Sequence, residues 1–185
     1  IMMAGHVSVP IFATAGGDTI NYVLKHADVK LMFVGKLDNI ESAVAPIPDD
    51  MPTVAFPYEG IPGNSTWAEF TDIAPLSDNP NRDKDELMTI IYTSGSTGQP
   101  KGVMHSFATI NWAAHSCLNQ LDCDKSDRVM SYLPLAHITE RVIVELASFY
   151  SGMQITFVES LDTFNHDVVN AQPTLFVSVP RLWTK

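Results

Sequence analysis

Tyr92-Thr93-Ser94-Gly95-Ser96-Thr97-Gly98-Gln99-Pro100-Lys101-Gly102 follows directly on the apolar run Leu87-Met88-Thr89-Ile90-Ile91. A buried strand opening into glycines and hydroxyls, with one lysine, brings backbone N–H groups and little side-chain bulk to a polyanion. Glycines at 95, 98 and 102 permit positive φ and close approach, the hydroxyls supply donors, and Lys101 supplies charge. An ordinary Ser/Thr/Gly loop between strands has the same composition, so the stretch by itself leaves both readings open.

Spacing removes several neighbouring motifs. A Walker-type loop has glycine immediately before its lysine, where this chain has Pro100. The dinucleotide pattern G-x-G-x-x-G fails because Thr93 stands two before Gly95. The hydrolase elbow G-x-S-x-G is not matched either. Simple NTPase, dehydrogenase and esterase readings weaken together.

The chain has 185 residues, 45% hydrophobic and 17% charged, which is globular composition with enough length for one good core. Eleven Lys and Arg against 21 Asp and Glu give a formal charge of −10, which argues against a nucleic-acid surface. Any phosphate must be held by local donors. Cys117 and Cys123 lack CxxC spacing, so neither a disulfide framework nor a zinc site is encoded. His115, two before Cys117, is read with it as part of a buried helix face rather than a metal site. Cysteine use makes a reducing, cytoplasmic compartment the expectation. Residues 1–17 carry no Lys, Arg, Asp or Glu but are interrupted by His6, Pro10 and a glycine pair, so they match neither a signal peptide nor a span. Starting at Ile1 inside an apolar run, the sequence reads as a piece of something longer.

In order, residues 7–12 read as a buried strand and 13–17 as a small-residue turn. A helix follows to about Ala27, capped by Asp18 or Thr19, with Ile20, Val23, Leu24 and Ala27 on one face. With a strand at 30–34, this predicts a βαβ unit with parallel strands. Next come a short helix at 38–44, a strand at 53–56, a loop at 57–65 and a helix at 67–73. Asn64-Ser65-Thr66 matches a glycosylation acceptor that has no leader to bring it into use. The polar stretch 77–86 reads as a connector between a first βαβ half, 1–76, and a phosphate-loop half, 87–185. Beyond the loop the pattern predicts a strand at 103–105 and a helix at 107–121, with Trp112 as packing. A strand at 129–133 is broken by Pro134, and a helix whose apolar positions are Ile138, Val142, Leu146 and Phe149 follows. A strand at 154–158, a helix at 161–170, a strand at 174–177 and a helix opened by Pro180 complete the chain. Alternation of this kind predicts an α/β fold with a mostly parallel, doubly wound sheet and flanking helices.

At 92–103 the sequence resembles the signature loop of the adenylate-forming (AMP-binding) superfamily, which contains acyl-CoA synthetases, luciferases and peptide-synthetase adenylation domains. Ser131-Tyr-Leu-Pro-Leu-Ala-His-Ile-Thr-Glu-Arg141 resembles the next motif in its long-chain fatty acyl-CoA synthetase form. Pro173-Thr-Leu-Phe-Val-Ser-Val-Pro-Arg-Leu-Trp183 and Gly5-His-Val-Ser-Val-Pro-Ile-Phe-Ala-Thr14 are similar to the same subgroup.

The resemblance implies a large N-terminal adenylation domain, of which this is a part, and a two-step reaction. A fatty carboxylate attacks the α-phosphorus of ATP, giving acyl-AMP and pyrophosphate, and the CoA thiol then displaces AMP. It implies that Thr93, Ser94, Gly95, Ser96, Thr97, Gly98 and Lys101 hold the β and γ phosphates, with Ser96 or Thr97 at Mg2+. It implies a catalytic Lys101, and places His137 beside the acyl carboxylate and adenylate. Glu140 and Arg141 are read as a local ion pair orienting that loop or as a structural pair. The family's ribose aspartate, magnesium glutamate and mobile C-terminal domain fall outside this sequence, so the chain alone is expected to be inactive. Fatty acid, ATP and CoA are the implied partners, with peripheral membrane association and a homodimer left open. An aryl- or aminoacyl-adenylating enzyme, or a non-catalytic nucleotide- or acyl-binding module, stands as the alternative.

Overall fold

The computed structural model describes residues 1–37, 39–75, 77, 81–94, 98–160 and 162–178. It divides into two compact units, Ile1–Phe107 and Ala108–Lys185. The connector at 77–86, of which Asp78, Asn79 and Pro80 lie outside the described residues, therefore falls inside the first unit.

In the first unit a 3-10 turn, Met2–Ala4, precedes α1, Gly17–His26. α1 is amphipathic: Ile20, Val23 and Leu24 are buried. Ile20 and Leu24 meet Ala43 in a small core. Its N-cap is Gly16, with no side-chain cap, and Asp18 sits in the first turn, where its charge suits the helix dipole. The cap assigned from sequence to Asp18 or Thr19 is thus corrected by two or three positions. β1, Met32–Val34, pairs in parallel with β2, Thr53–Ala55, through the crossover helix α2, Ile40–Val44. α2 is capped by Asn39, whose side chain accepts from Ser42 N; Asp38 lies outside the described residues. β3, Ser65–Thr66, adds to β2 in parallel. Asn64, read as an idle glycosylation acceptor, accepts from both Thr53 N and Oγ1 through Oδ1, at 2.8 and 2.9 Å. Thr66 and Glu69 form a reciprocal capping box on α3, Trp67–Thr71. The S/T-x-x-E spacing of Thr66 and Glu69 marks this helix start in the sequence itself.

The strand expected at 7–12 reduces to one bridge, Ser8 with Thr89, in parallel. Ser8 N donates to Met88 O at 3.1 Å and Ile90 N donates to Ser8 O at 3.0 Å. Pro10 has no N–H to extend a ladder. Ser8 therefore joins the strand of Thr89 while β1 joins β2, so the predicted βαβ unit is corrected: its parallel partner strands are β1 and β2. β4, Leu87–Thr93, and β5, Lys101–Ser106, form an antiparallel pair. The seven residues 94–100 between them are too few for a parallel crossover.

α4, Phe107–Leu121, begins as the first unit ends. Ile110 and Ala114 are buried, as the helical spacing predicts. Trp112 is 75% exposed, which corrects its reading as packing. His115 is exposed too, and its ring lies 4.2 Å from that of Tyr150. Among the described residues no cluster of three or more His, Cys, Asp or Glu could hold a metal.

In the second unit β6, Arg128–Ser131, pairs in parallel with β7, Gln154–Phe157. Val129, Val144, Ala147 and Met153 form its core, with Leu118, Cys123, Ile155 and Leu175 against it. Burial and the carboxylates of Asp127, Asp122 and Asp124 push the Cys123 thiol up. The helix after Pro134 contains a π-helical segment, Glu140–Leu146, which continues as α5, Ala147–Ser151. Of its expected apolar positions, Val142 and Leu146 are buried within the π segment, whereas Ile138 before it and Phe149 beyond it are exposed, Phe149 by 76%. α6, Phe164–Ala171, starts later than predicted, and Leu161 lies outside the described residues. The strand at 174–177 is a single bridge from Leu175 to Val129, and the helix at Pro180 lies outside the described residues. Parallel pairs predominate, and the fold is α/β as the alternation predicts.

Among the described residues no helix is long and apolar enough to cross a membrane.

Candidate functional site

The hairpin β4–β5 places most of the sequence-predicted phosphate residues. β4 is a strand because Thr89, Ile90 and Ile91 are β-branched within an apolar run, and Met88, Thr89, Ile91 and Tyr92 are buried. Thr89, fully buried, donates its hydroxyl to Ser8 O at 2.8 Å, so no polar atom is stranded there. At the open end Thr93 pairs with Lys101, and Tyr92 with Gly102. Thr93, Ser94, Gly98 and Lys101 are exposed. Gly98 has φ +90° and open space where a Cβ would stand, a backbone that glycine adopts freely. Gly95, Ser96 and Thr97 lie outside the described residues.

Gly102 has a packing role. A Cβ on it would stand 2.8 Å from Ile90 Cγ2 and 3.2 Å from Tyr92 Cζ. The Tyr92 ring thus covers the glycine, and its hydroxyl lies 2.7 Å from His26 Nδ1 on α1. The His26 ring stacks on Tyr22 at 5.1 Å and meets Tyr92 edge-on at 5.8 Å. Burial, and then Tyr22, push the Tyr92 phenol up, so it serves as a neutral partner. Sequence could not show this anchor, because its two ends are 66 residues apart. Tyr92→Phe should cost about 1 kcal/mol of stability, the usual worth of one such bond, and urea unfolding of the intact protein checks it.

In the second unit His137 ends the turn that Pro134 begins. His137 N donates to Pro134 O at 2.8 Å, and Arg141 N donates to His137 O at 3.3 Å. Thr139 N donates to His137 Nδ1 at 3.2 Å. The imidazole thereby satisfies one of the orphan N–H groups at the start of the helix. A nitrogen that accepts carries no proton, so the neutral ring bears its hydrogen on Nε2. His137 is a half-buried N–H donor whose tautomer is set by the helix it caps.

The expected Glu140–Arg141 ion pair is replaced by two separate bonds. Ser131 Oγ donates to Glu140 Oε1 at 2.5 Å. Arg141 Nη1 pairs with Glu145 Oε2 at 2.9 Å, one turn on. Burial pushes the Glu140 carboxyl above its ordinary value, against the opposing pull of the Ser131 hydroxyl. A raised native value means that protonation stabilises the fold at low pH. That contribution is lost as pH climbs from the unfolded value through the native one. Glu140→Gln should therefore match the wild type in melting temperature at acid pH and exceed it increasingly towards neutral. A difference that stays constant with pH would refute the burial argument.

The arrangement can do two things chemically: a hairpin mouth offers hydroxyls, open backbone and one ammonium to a polyanion, and a helix-capping imidazole offers one N–H. Over residues 1–185 the chain matches the family described as AMP-binding enzyme. It is 32% identical, over 206 aligned residues, to the long-chain-fatty-acid–CoA ligase ACSBG2 of Rattus norvegicus, covering all of this chain and 31% of the relative. To fatty acyl-CoA synthetase A of Dictyostelium discoideum the identity is 33%, over 97% of this chain and 29% of the relative. The chain thus spans about a third of the length of these curated relatives. Its fold matches o-succinylbenzoate CoA synthetase of Bacillus subtilis, solved with ATP and magnesium, at TM-score 0.75 and 19% identity, over the whole chain and 46% of the other. An anthranilate CoA ligase solved with anthranoyl-AMP matches at TM-score 0.76 and 20% identity, over 94% of this chain and 35% of the other. The glycine-rich hairpin, the α/β strand order and the match over every residue lead to one conclusion: this chain belongs to the AMP-binding enzyme family.

Proposed function

We propose that the protein containing this chain activates a long-chain fatty acid, first as acyl-AMP with release of pyrophosphate and then as acyl-CoA with release of AMP. The observation that carries the reading is the hairpin mouth: exposed Thr93, Ser94 and Lys101 beside Gly98 at φ +90°. Its donors suit a triphosphate, since hydroxyls, peptide N–H groups and an ammonium complement phosphate oxygens. Thr93, Ser94, Gly95, Ser96, Thr97, Gly98 and Lys101 hold the β and γ phosphates, and a hydroxyl of Ser96 or Thr97 is an oxygen ligand of the kind Mg2+ takes. The metal neutralises phosphate charge when bound. Lys101 offsets the charge that builds on the leaving pyrophosphate. His137 orients the acyl carboxylate by donating from Nε2. Fatty acid as substrate is supported by the curated relatives, named as long-chain fatty acid ligases. CoA is supported by the same names. A cytoplasmic location, peripheral to a membrane, and a homodimer complete the proposal.

ATP–pyrophosphate exchange by the intact protein, driven in turn by long-chain fatty acids and by aryl acids, tests the reading. Exchange with fatty acids is expected; exchange with aryl acids alone would replace the substrate class.

A further inference from the structure

The π-helical segment buries charge where the sequence pattern would bury oil. Glu140 is 2% and Arg141 3% exposed, while Phe149 of the same continuous helix is 76% exposed. Burying charge and exposing a large apolar ring both run against ordinary preference. π turns of this kind are frequent at functional sites.

The two buried charges have different tasks. Arg141 is turned along the helix to Glu145. Glu140 is turned back to β6, where its Oε1 accepts from Ser131 Oγ, and its Oε2 meets no hydrogen-bond partner among the described residues. Ser131 is the last residue of β6 and is itself fixed: it is in register with Phe157, and Val158 N donates to its carbonyl at 3.0 Å. Glu140 is the first residue of the π segment. One side-chain bond therefore ties a rigid strand end to a helix start and closes the turn 132–139 between them. His137 lies on that turn.

We propose that Glu140 is a positioning residue for His137: its bond to Ser131 keeps the turn closed, so that the imidazole caps the helix through Nδ1 and presents Nε2–H. The proposal rests on the reading of His137 as the donor to the acyl carboxylate. Without the Ser131 bond the turn keeps its backbone bonds, from His137 N to Pro134 O and from Arg141 N to His137 O, the Tyr132 hydroxyl bond to Val177 O, and the weaker pull of the Leu133 and Tyr132 N–H groups on the Glu140 carboxylate. Rotation of the imidazole off Thr139 N then frees both tautomers, and the N–H that meets the carboxylate is no longer fixed. Gln at 140 keeps the volume and an oxygen that accepts from Ser131, so it preserves the clamp while removing the ionisable group.

The test uses the intact protein with Ser131→Ala, Glu140→Ala, Glu140→Gln and His137→Ala, alone and combined. Two readouts are taken: exchange kinetics with a long-chain saturated fatty acid, and the tautomer of His137 by imidazole 15N NMR. Ser131→Ala and Glu140→Ala should lower kcat by about tenfold to a hundredfold, the range for a misplaced positioning group, with KM for ATP unchanged. Glu140→Gln should restore most of the rate. The 15N spectrum should show the Nε2–H tautomer in the wild type and in Glu140→Gln, and a mixture in the two alanine variants. In the His137→Ala background Ser131→Ala should cost nothing further. An equal loss in that background, or an unchanged tautomer in Ser131→Ala, overturns the proposal; should Glu140→Ala fail to fold, Ser131→Ala still decides. Unchanged exchange in His137→Ala alone would instead defeat the reading of His137, and the NMR result would still judge the clamp.

Discussion

Lys101→Ala is expected to lower ATP–pyrophosphate exchange of the intact protein by about a hundredfold, the size of losing one preorganised donor at a developing charge. Its stability should move by less than about 0.5 kcal/mol, as for an ordinary surface position. The separation follows from placement: Lys101 begins β5 opposite Thr93, and its side chain is exposed. The backbone pairing that holds it there does not depend on the side chain. Exchange kinetics and thermal unfolding of the same variant decide the matter. If exchange stays at the wild-type rate, the phosphate role of the hairpin is wrong. If rate and stability fall together, Lys101 is structural.

Gly102→Ala should act through the opposite route. Its added carbon meets Ile90 Cγ2 at 2.8 Å and the Tyr92 ring at 3.2 Å. Tyr92 cannot swing away without leaving His26. Overpacking of this kind costs roughly 1–3 kcal/mol, and the hairpin mouth shifts with it. Melting temperature and exchange should therefore both drop. The loss in Gly102→Ala combined with Tyr92→Phe should be smaller than the sum of the separate losses, because the two share a contact. Additive losses would show that the ring does not press on the glycine.

Fold class and the β4–β5 hairpin were legible because both rest on local sequence. The β-branched run at 89–91 makes a strand wherever one face is covered, Gly98 stands where its backbone favours glycine, and Gly102 stands where a Cβ would meet Ile90 and Tyr92. What escaped was set by distant partners. Ser8 was read as part of a full strand, but its pairing is decided by Thr89, 81 residues away. The parallel partner of β1 is likewise set by pairing, with Thr53–Ala55 and not with the stretch before α1. Ile138, Val142, Leu146 and Phe149 share one face only near 3.6 residues per turn; the π segment, which carries no sequence mark, keeps Val142 and Leu146 buried and leaves Phe149 exposed. Glu140 and Arg141 are adjacent and opposite in charge, but neighbours in a helix point apart, and each has its own partner, Ser131 and Glu145. His137 was legible as a residue of interest from its motif, but its tautomer needed the Thr139 bond.

The π segment also makes helix length and helix charge a single trait. Deleting one residue between 140 and 146 would let ordinary winding resume and turn everything beyond by about 100°. Phe149 would rotate off its exposed path, and Glu140 and Arg141 would lose their shared place inside. A relative whose helix is one residue shorter at this point should therefore also lack the buried acid and buried base at its start, each with its own partner. Gaining or losing the clamp on the histidine turn is then a matter of one inserted residue, a change in count rather than in kind.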